Sequence, residues 1–391
     1  AADFTPDYIQ NNGTFTDFNE LGTKNITPAN SLAGALWGAV YNTVYIANFI
    51  EENLGKVSRV SQAEKDDLLA QARFCRAYAY FIAAHTFGDV PKVVNTDVQT
   101  NRSIARAPKS EILAWVKEDY EAALAVLPER WDPDNATLNK QFATKNAVRA
   151  ALARYHLYEG NWQSAEEMAN AVISNRLQSL DSSYVTVIST EFDSESIFEL
   201  AYANSSSDDP GTSTTGLNNI LVGRREVIPS NSYVQEIVNV NAGTRRATIT
   251  FNTSNQQGRD NGWTVTKYGT PDQGNNNISV FRLAEMYLIR AEARAQLNRI
   301  TGASGALADV NVLRRRAKAP LAAFTTQAAA LSTIETERLY ELSFEGHRWF
   351  DLKRTGRINT VMTIFSSRWN EKYNLWPIPQ TEIQTNRLLV Q

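Results

Sequence analysis

Residues 147–173, AVRAALARYHLYEGNWQSAEEMANAVI, constrain this chain more than any other stretch. Apolar residues recur at helical spacing on both sides of Gly160-Asn161, which predicts one helix from about Thr144 to Glu159 and another from about Ser164 to Asn175. Small side chains at Ala153 and Ala165 let two antiparallel helices approach closely, and Gly160 frees the turn between them. A hairpin of this kind cannot bury its apolar face alone, so it has to stack on others. Two more pairs are available. One joins Tyr287–Leu297 to Ala306–Ala317, and a looser one joins residues 64–87 to 110–127. Ser61 and Glu64 form a capping box at the start of that looser pair, and Gly88 with Pro91 closes its first helix. Most of the Ala, Leu and Tyr residues in these runs read as core.

The 147–173 hairpin resembles a tetratricopeptide repeat through Leu152, Ala153, Gly160, Trp162 and Ala165. It departs from that unit at Ala169, where a large aromatic is usual, and no proline closes it. Stacked pairs of this type form a right-handed α-solenoid or bundle. Residues 1–30 are polar and rich in Asn, Thr and Gly, which predicts loop. Residues 176–277 are crowded with Ser, Asn, Gly, Asp and Thr. The runs SYVTVI, SIFELAY, ATITF and WTVTKY suggest short strands there among long loops. The reading is a mainly α fold in a single domain over residues 1–391. Its helical scaffold spans 31–175 and 278–391, and its loop-rich, ligand-binding region spans 176–277. Long loops held by rigid helices are a common way to build a binding surface.

Charge and motif content remove several classes of function. Net charge is -3, from 39 basic and 42 acidic residues, so nothing marks a nucleic-acid or anionic-membrane partner. No run reaches the roughly 18 apolar residues that a bilayer span requires. The chain starts AADFTPDYIQ, without a basic or apolar leader segment, so compartment cannot be read from it. The single cysteine, Cys75, lies in an apolar-periodic run and reads as a buried structural thiol. His85, His156 and His347 have no metal-ligand spacing and read as structural, so no metal or other cofactor is expected. No G-x-S-x-G elbow, dinucleotide fingerprint or phosphate loop is present. Glu191, Asp193, Glu195 and Glu199 read as a solvated strand edge before a catalytic pair. In ELSFEGHRWFDLKR, Glu341, Glu345 and Arg348 fall at helical spacing among Phe344, Trp349 and Phe350. That pattern predicts a buried polar lock.

Five segments, in order, carry a family resemblance. Trp37, Tyr41, Asn48 and Ile50 mark the first. AQARFCRAYAYFIAAHTFGDVP, through Phe87, Gly88, Asp89 and Pro91, is the second. ALADVNVLRRRA with Asn311, Arg314 and Arg316, ERLYELSFEGHRWFDLKR, and LWPIPQTEIQTN complete the set. Together they resemble the SusD/RagB family of surface nutrient-binding lipoproteins of Bacteroidetes. The resemblance implies a SusD-like fold and non-catalytic capture of an oligosaccharide, sometimes a peptide. It further implies delivery to a SusC-like TonB-dependent transporter at the cell surface of the outer membrane. The implied membrane attachment is a lipid anchor on a cysteine that this chain does not contain.

The family's ligand contacts lie in variable loops, so none is carried over. Sugar rings stack by their faces and hydrogen-bond by their rims, which favours loop aromatics beside amide and guanidinium groups. Eight tryptophans and fifteen tyrosines make such platforms available. The candidates are Phe18 with Asn19 in the first loop, and Trp263 with Asn261 and Arg259 in the middle region. The alternative at Trp263 is a strand aromatic packed on a helix. Two other functions compete with glycan capture: a helical-repeat scaffold for another protein, and a carboxylate-dependent glycoside hydrolase.

Overall fold

The computed structural model describes residues 3–202, 216–268 and 277–390. Regular structure starts inside the polar N-terminal segment, where composition predicts loop. A short strand, β1 (Ile9–Asn11), precedes a helix, α1 (Thr16–Thr23). Burial of Phe18 and Leu21 against the core overrides the weak local preference. Asn30 caps α2 (Ser31–Asn53) by accepting from the Leu32 amide. Ser61 and Glu64 close the predicted capping box on α3 (Gln62–Phe87). The small pair β2 (Val90–Pro91) and β3 (Arg106–Ala107) flanks α4 (Val98–Asn101) and leads into α5 (Lys109–Val126).

A short α6 (Leu138–Gln141) precedes the hairpin α7 (Lys145–Tyr158) and α8 (Trp162–Ser174). Its turn uses Gly160 at φ 71, and both Ala153 and Ala165 are fully buried at the helix crossing. The middle of the chain contains α9 (Tyr184–Ser189), β4 (Ser196–Leu200), β5 (Val227–Pro229), α10 (Asn231–Ile237), β6 (Ile249–Phe251), β7 (Trp263–Val265) and β8 (Ile278–Arg282). The run SYVTVI is therefore a helix, not a strand. Tyr184, Val187 and Ile188 sit one helical turn apart and are all buried. The C-terminal part adds α11 (Leu283–Gln296), α12 (Ala306–Arg316), α13 (Gln327–Leu342), α14 (Arg348–Arg354), α15 (Ile358–Phe365) and α16 (Gln380–Thr385).

The helices form one continuous stack: α2 on α3, α3 on α5, α5 on α7, α7 on α8, α8 on α11, and α11 on both α12 and α13. Among the described residues, every strand belongs to a two-stranded antiparallel pair: β1 with β5, β2 with β3, β4 with β8, and β6 with β7. Helices dominate, with short strands inserted between them, so the mainly α reading of the sequence is correct. The tail straps the stack together. The Trp376 amide donates to Thr86 O (2.8 Å) and the Gln380 amide to Pro28 O (2.8 Å), while Trp376 and Ile378 are buried.

The C-terminal charged segment is not one helix. Phe344 (φ 63) and Gly346 (φ 79) are left-handed, so α13 stops before Glu345 and α14 begins at Arg348. Glu341 and Glu345 nevertheless converge on Arg282 at the end of β8. Its guanidinium donates to Glu345 (2.7 Å), Glu341 (2.8 Å) and Glu195 (3.3 Å). Arg316 from α12 also donates to Glu195 (2.6 Å) and pairs with Glu341, while Arg245 donates to Glu337 (2.6 Å). Lys267 pairs with Glu345. All of these groups are buried. The lock is real, but it ties together elements across the chain and does not run along one helix.

The same burial corrects the reading of the 191–199 carboxylates as a solvated edge. Glu195 and Glu199 have almost no exposed surface. Glu199 accepts from the Phe192 amide (3.1 Å) and from Asn277 (2.9 Å). Cys75 is also reassigned, because it lies exposed on α3. The three histidines are buried, and desolvation holds the imidazoles of His85 and His347 well below their ordinary titration range.

Removing one member of a buried ion network strands its partners. Glu341→Gln should cost about 3–5 kcal/mol in urea unfolding, because Arg282 and Arg316 lose a shared anion. Burial disfavours the Glu341, Glu345 and Asp351 carboxylates. The surrounding Arg and Lys side chains outweigh it and hold all three carboxyls below the usual carboxylate range. Their contribution is therefore complete above about pH 4.5 and disappears as the pH falls through the depressed native values. Burial pushes the Asp193 and Glu195 carboxyls the other way, so they do not add to this acid-side loss. The thermal midpoint should drop steeply between about pH 4 and about pH 2, and Glu341→Gln should flatten that drop.

Candidate functional site

The strand pairs β1–β5 and β6–β7 bring the middle-region candidates together with the N-terminal segment. Register pairs Ile9 with Pro229, Asn11 with Val227, and Phe251 with Trp263. Strand β7 in turn packs on β5, so the two pairs form one face. Trp263 is half-buried: it packs against the core cluster and meets Phe251 at a ring separation of 5.2 Å and an interplanar angle of 47°. Phe251 is 44% exposed, which leaves an aromatic surface open to solvent. Trp263 thus packs on the core as a strand aromatic and keeps part of its surface open.

The loop before β7 is held by side chains. Asn261 Nδ2 donates to Pro229 O (2.8 Å) and to Asn231 Oδ1 (2.9 Å), while Asn261 Oδ1 accepts from the Trp263 amide (3.1 Å). Asp260 accepts from Arg225 Nε (3.2 Å), Asn12 Nδ2 (3.1 Å) and the Gly262 amide (2.8 Å). Partial burial disfavours the Asp260 carboxylate, but Arg225, the Gly262 amide and Asn12 hold its carboxyl below the usual range. Gly262, at φ 83, is required by contact as well as conformation: a Cβ there would lie 2.6 Å from the Phe251 ring. Gln10 Nε2 reaches Arg259 O (3.4 Å), and the Arg259 guanidinium is exposed.

The second sequence-derived pair fits less well. Phe18 lies in α1, not in a loop. It is only 5% exposed, packed edge-on to Phe4 at 5.1 Å, so it has no ring face to offer a ligand. Asn19, on the same helix, accepts through its carbonyl from Thr23 (2.7 Å). The aromatic that α1 does present is Phe15 at its N-cap, 43% exposed, with the Arg224 guanidinium 4.2 Å above its ring. Arg224 also pairs with Glu226 (3.0 Å), whose carboxylate accepts from the Thr14 amide (3.1 Å). Phe15, Arg224, Arg225, Asp260 and Asn231 were not singled out from the sequence. The Asx-rich segments QNNG and RDNG that bring them together were its available signal.

Other concavities have different character. A cleft of about 450 Å³ lies between α11, α13 and α14, and its charges face one another. Arg348 is paired with Asp7 (2.8 Å), Arg338 with Asp351 (2.7 Å), and Arg354 with Glu292 (2.5 Å). A groove of about 380 Å³ beside α2 is lined by Tyr41, Tyr45 and Val98, with a Trp37 that is buried. Among the described residues no cluster of three or more His, Cys, Asp or Glu side chains could hold a metal ion. No described helix is long and apolar enough to cross a membrane.

Residues 224–391 match the family model described as the SusD family, and residues 3–157 match the one described as starch-binding associating with outer membrane. The chain belongs to the SusD/RagB family. SusD-like protein P25 of Formosa agariphila is 26% identical over 416 residues, covering 91% of this chain and 77% of that protein. Starch-binding protein SusD of Bacteroides thetaiotaomicron is 33% identical over 144 residues, 35% of this chain and 24% of that protein. Among solved structures, a laminarin-binding SusD-like protein has a TM-score of 0.84 at 22% identity, covering 99% of this chain and 92% of its own. A SusD superfamily protein from Bacteroides thetaiotaomicron has a TM-score of 0.84 at 21% identity, over 100% and 93%. These structural neighbours establish the fold.

Asp260 is the side chain on which the loop geometry turns. Asp260→Ala should deprive Arg225 of its anion and Asn12 Nδ2 of one of its two acceptors, at a cost of about 1–3 kcal/mol. Hydrogen exchange at the Gly262 amide should accelerate in that variant, while amides in α7 keep their protection.

Proposed function

We propose that this protein is a non-catalytic binding protein of the outer-membrane surface. It captures oligosaccharides and delivers them to a SusC-like TonB-dependent transporter, with a lipid anchor on the precursor holding it in place. The observation that carries the reading is the Trp263–Phe251 aromatic face bordered by Asn231, Asn261 and exposed guanidinium groups. An aromatic surface with a polar rim matches a sugar ring, whose faces are C–H rich and whose edges are hydroxyls. Family membership supports it, as do the starch-binding and laminarin-binding descriptions of two relatives. A binding role without turnover is favoured because the carboxylates of this face, Asp260 and Glu226, are occupied by guanidinium and backbone donors. Hydrolysis would need two carboxyl groups facing a substrate.

A glycan-array screen followed by calorimetry tests this reading. Trp263→Ala should weaken a confirmed oligosaccharide ligand by about tenfold or more, corresponding to about 1.4 kcal/mol. The same ligand should be recovered unchanged after prolonged incubation with the protein. Unaltered affinity in Trp263→Ala would move the site elsewhere, and released product would make the protein an enzyme.

A further inference from the structure

The hydrogen-bonding inventory of the Trp263 face is one-sided. Its two carboxylates and the amide oxygens of its loop are engaged. Asp260 receives Arg225, Asn12 and the Gly262 amide, and Glu226 receives Arg224 and the Thr14 amide. The side-chain oxygens of Asn261 and Asn231 receive the Trp263 amide and Asn261 Nδ2. The donors are not all taken. Among the described residues Arg259 is exposed with no ion-pair partner, whereas Arg225 is largely buried against Asp260. Arg224 is 37% exposed and reaches the same face beside Phe15. Three guanidinium groups therefore stand against two carboxylates, on a molecule whose net charge is -3.

Neutral sugar hydroxyls donate as well as accept, so on a donor-rich surface a neutral glycan uses only their acceptor capacity. A carboxylate or sulfate on the sugar is acceptor-only and matches guanidinium geometry in a bidentate, charge-assisted way. We infer that this face prefers oligosaccharides bearing uronate or sulfate groups over neutral ones, with Arg259 as the residue that confers the preference. The inference rests on the oligosaccharide-binding reading above and deepens it to a class of ligand. Arg259 is suited to the role because only its backbone carbonyl is used in anchoring, by Gln10 Nε2. Its side chain can swing onto an anion without loosening the loop.

Calorimetry on the whole protein would compare three probes of equal length: a neutral β-glucan tetrasaccharide, an oligogalacturonate and a sulfated galactan tetrasaccharide. At least one anionic probe should bind about tenfold tighter than the neutral one. That advantage should shrink as salt rises from about 50 mM to about 500 mM. Arg259→Gln should abolish the advantage of the anionic probe over the neutral one, whereas Lys65→Gln, which alters net charge equally in the first turn of α3, should keep it. Equal or tighter binding of the neutral probe, lost in Trp263→Ala, would overturn the charge preference and leave the site assignment standing. An anionic advantage that survives Arg259→Gln would also overturn it. Failure of all three probes and of a wider glycan array would remove both readings together. A preference for uronate over sulfate, or the reverse, supports the inference and identifies the anion.

Discussion

Arg282 is the group that the rest of the molecule is arranged around. It sits at the junction of β8 and α11, fully desolvated, and three carboxylates from distant parts of the chain converge on it. A guanidinium in this position is tolerable only if its donors are met in the plane of the fork, because an isolated buried charge would cost several kcal/mol. Satisfying it fixes where β4, α12 and α13 must lie. The same set of partners reaches Arg245 ahead of β6 and Lys267 after β7. Strand placement in the middle region and helix stacking at the C-terminus are therefore set by one connected group of ions.

That arrangement explains how a surface built from short strands keeps its shape. Strands of three residues have little stability of their own. Here β6 and β7 are bracketed by buried cations, Arg245 on one side and Lys267 on the other, each paired with a glutamate of the α13 segment. The aromatic face carried by β7 is thus mounted on the helical stack through ion pairs and not only through apolar packing. A mounted surface holds its side chains in place before a ligand arrives, which reduces the ordering cost of binding.

The sequence made the stack legible and left the proposed site largely hidden, for physical reasons. Hairpin helices announce themselves through local signals: the Ser61–Glu64 capping box, the Gly160 turn and the 3.6-residue apolar period all act over a few residues. The break at Phe344 was missed because a left-handed phenylalanine has no sequence signature, and the helical period continues through it. Phe18 was misread because a polar neighbourhood suggested loop, while its burial depends on contact with Phe4, a tertiary fact. Trp263, Asn261 and Arg259 could be found together because they share one loop. Asn12 and Arg225 could not, since only the β1–β5 register brings them there. Glu195 looked like a surface residue for the same reason: its partners, Arg282 and Arg316, lie far along the chain.

The hydrogen bond from Asn12 to Asp260 joins residues 248 positions apart. Closing so long a span is entropically expensive, and such contacts form only after most of the intervening chain has found its place. The Trp263 face therefore depends on contacts that close late: a chain with its helices paired but its ends unjoined would have Trp263 without its surrounding amides and cations. In the role proposed for it, the face would make ligand competence a report on complete folding.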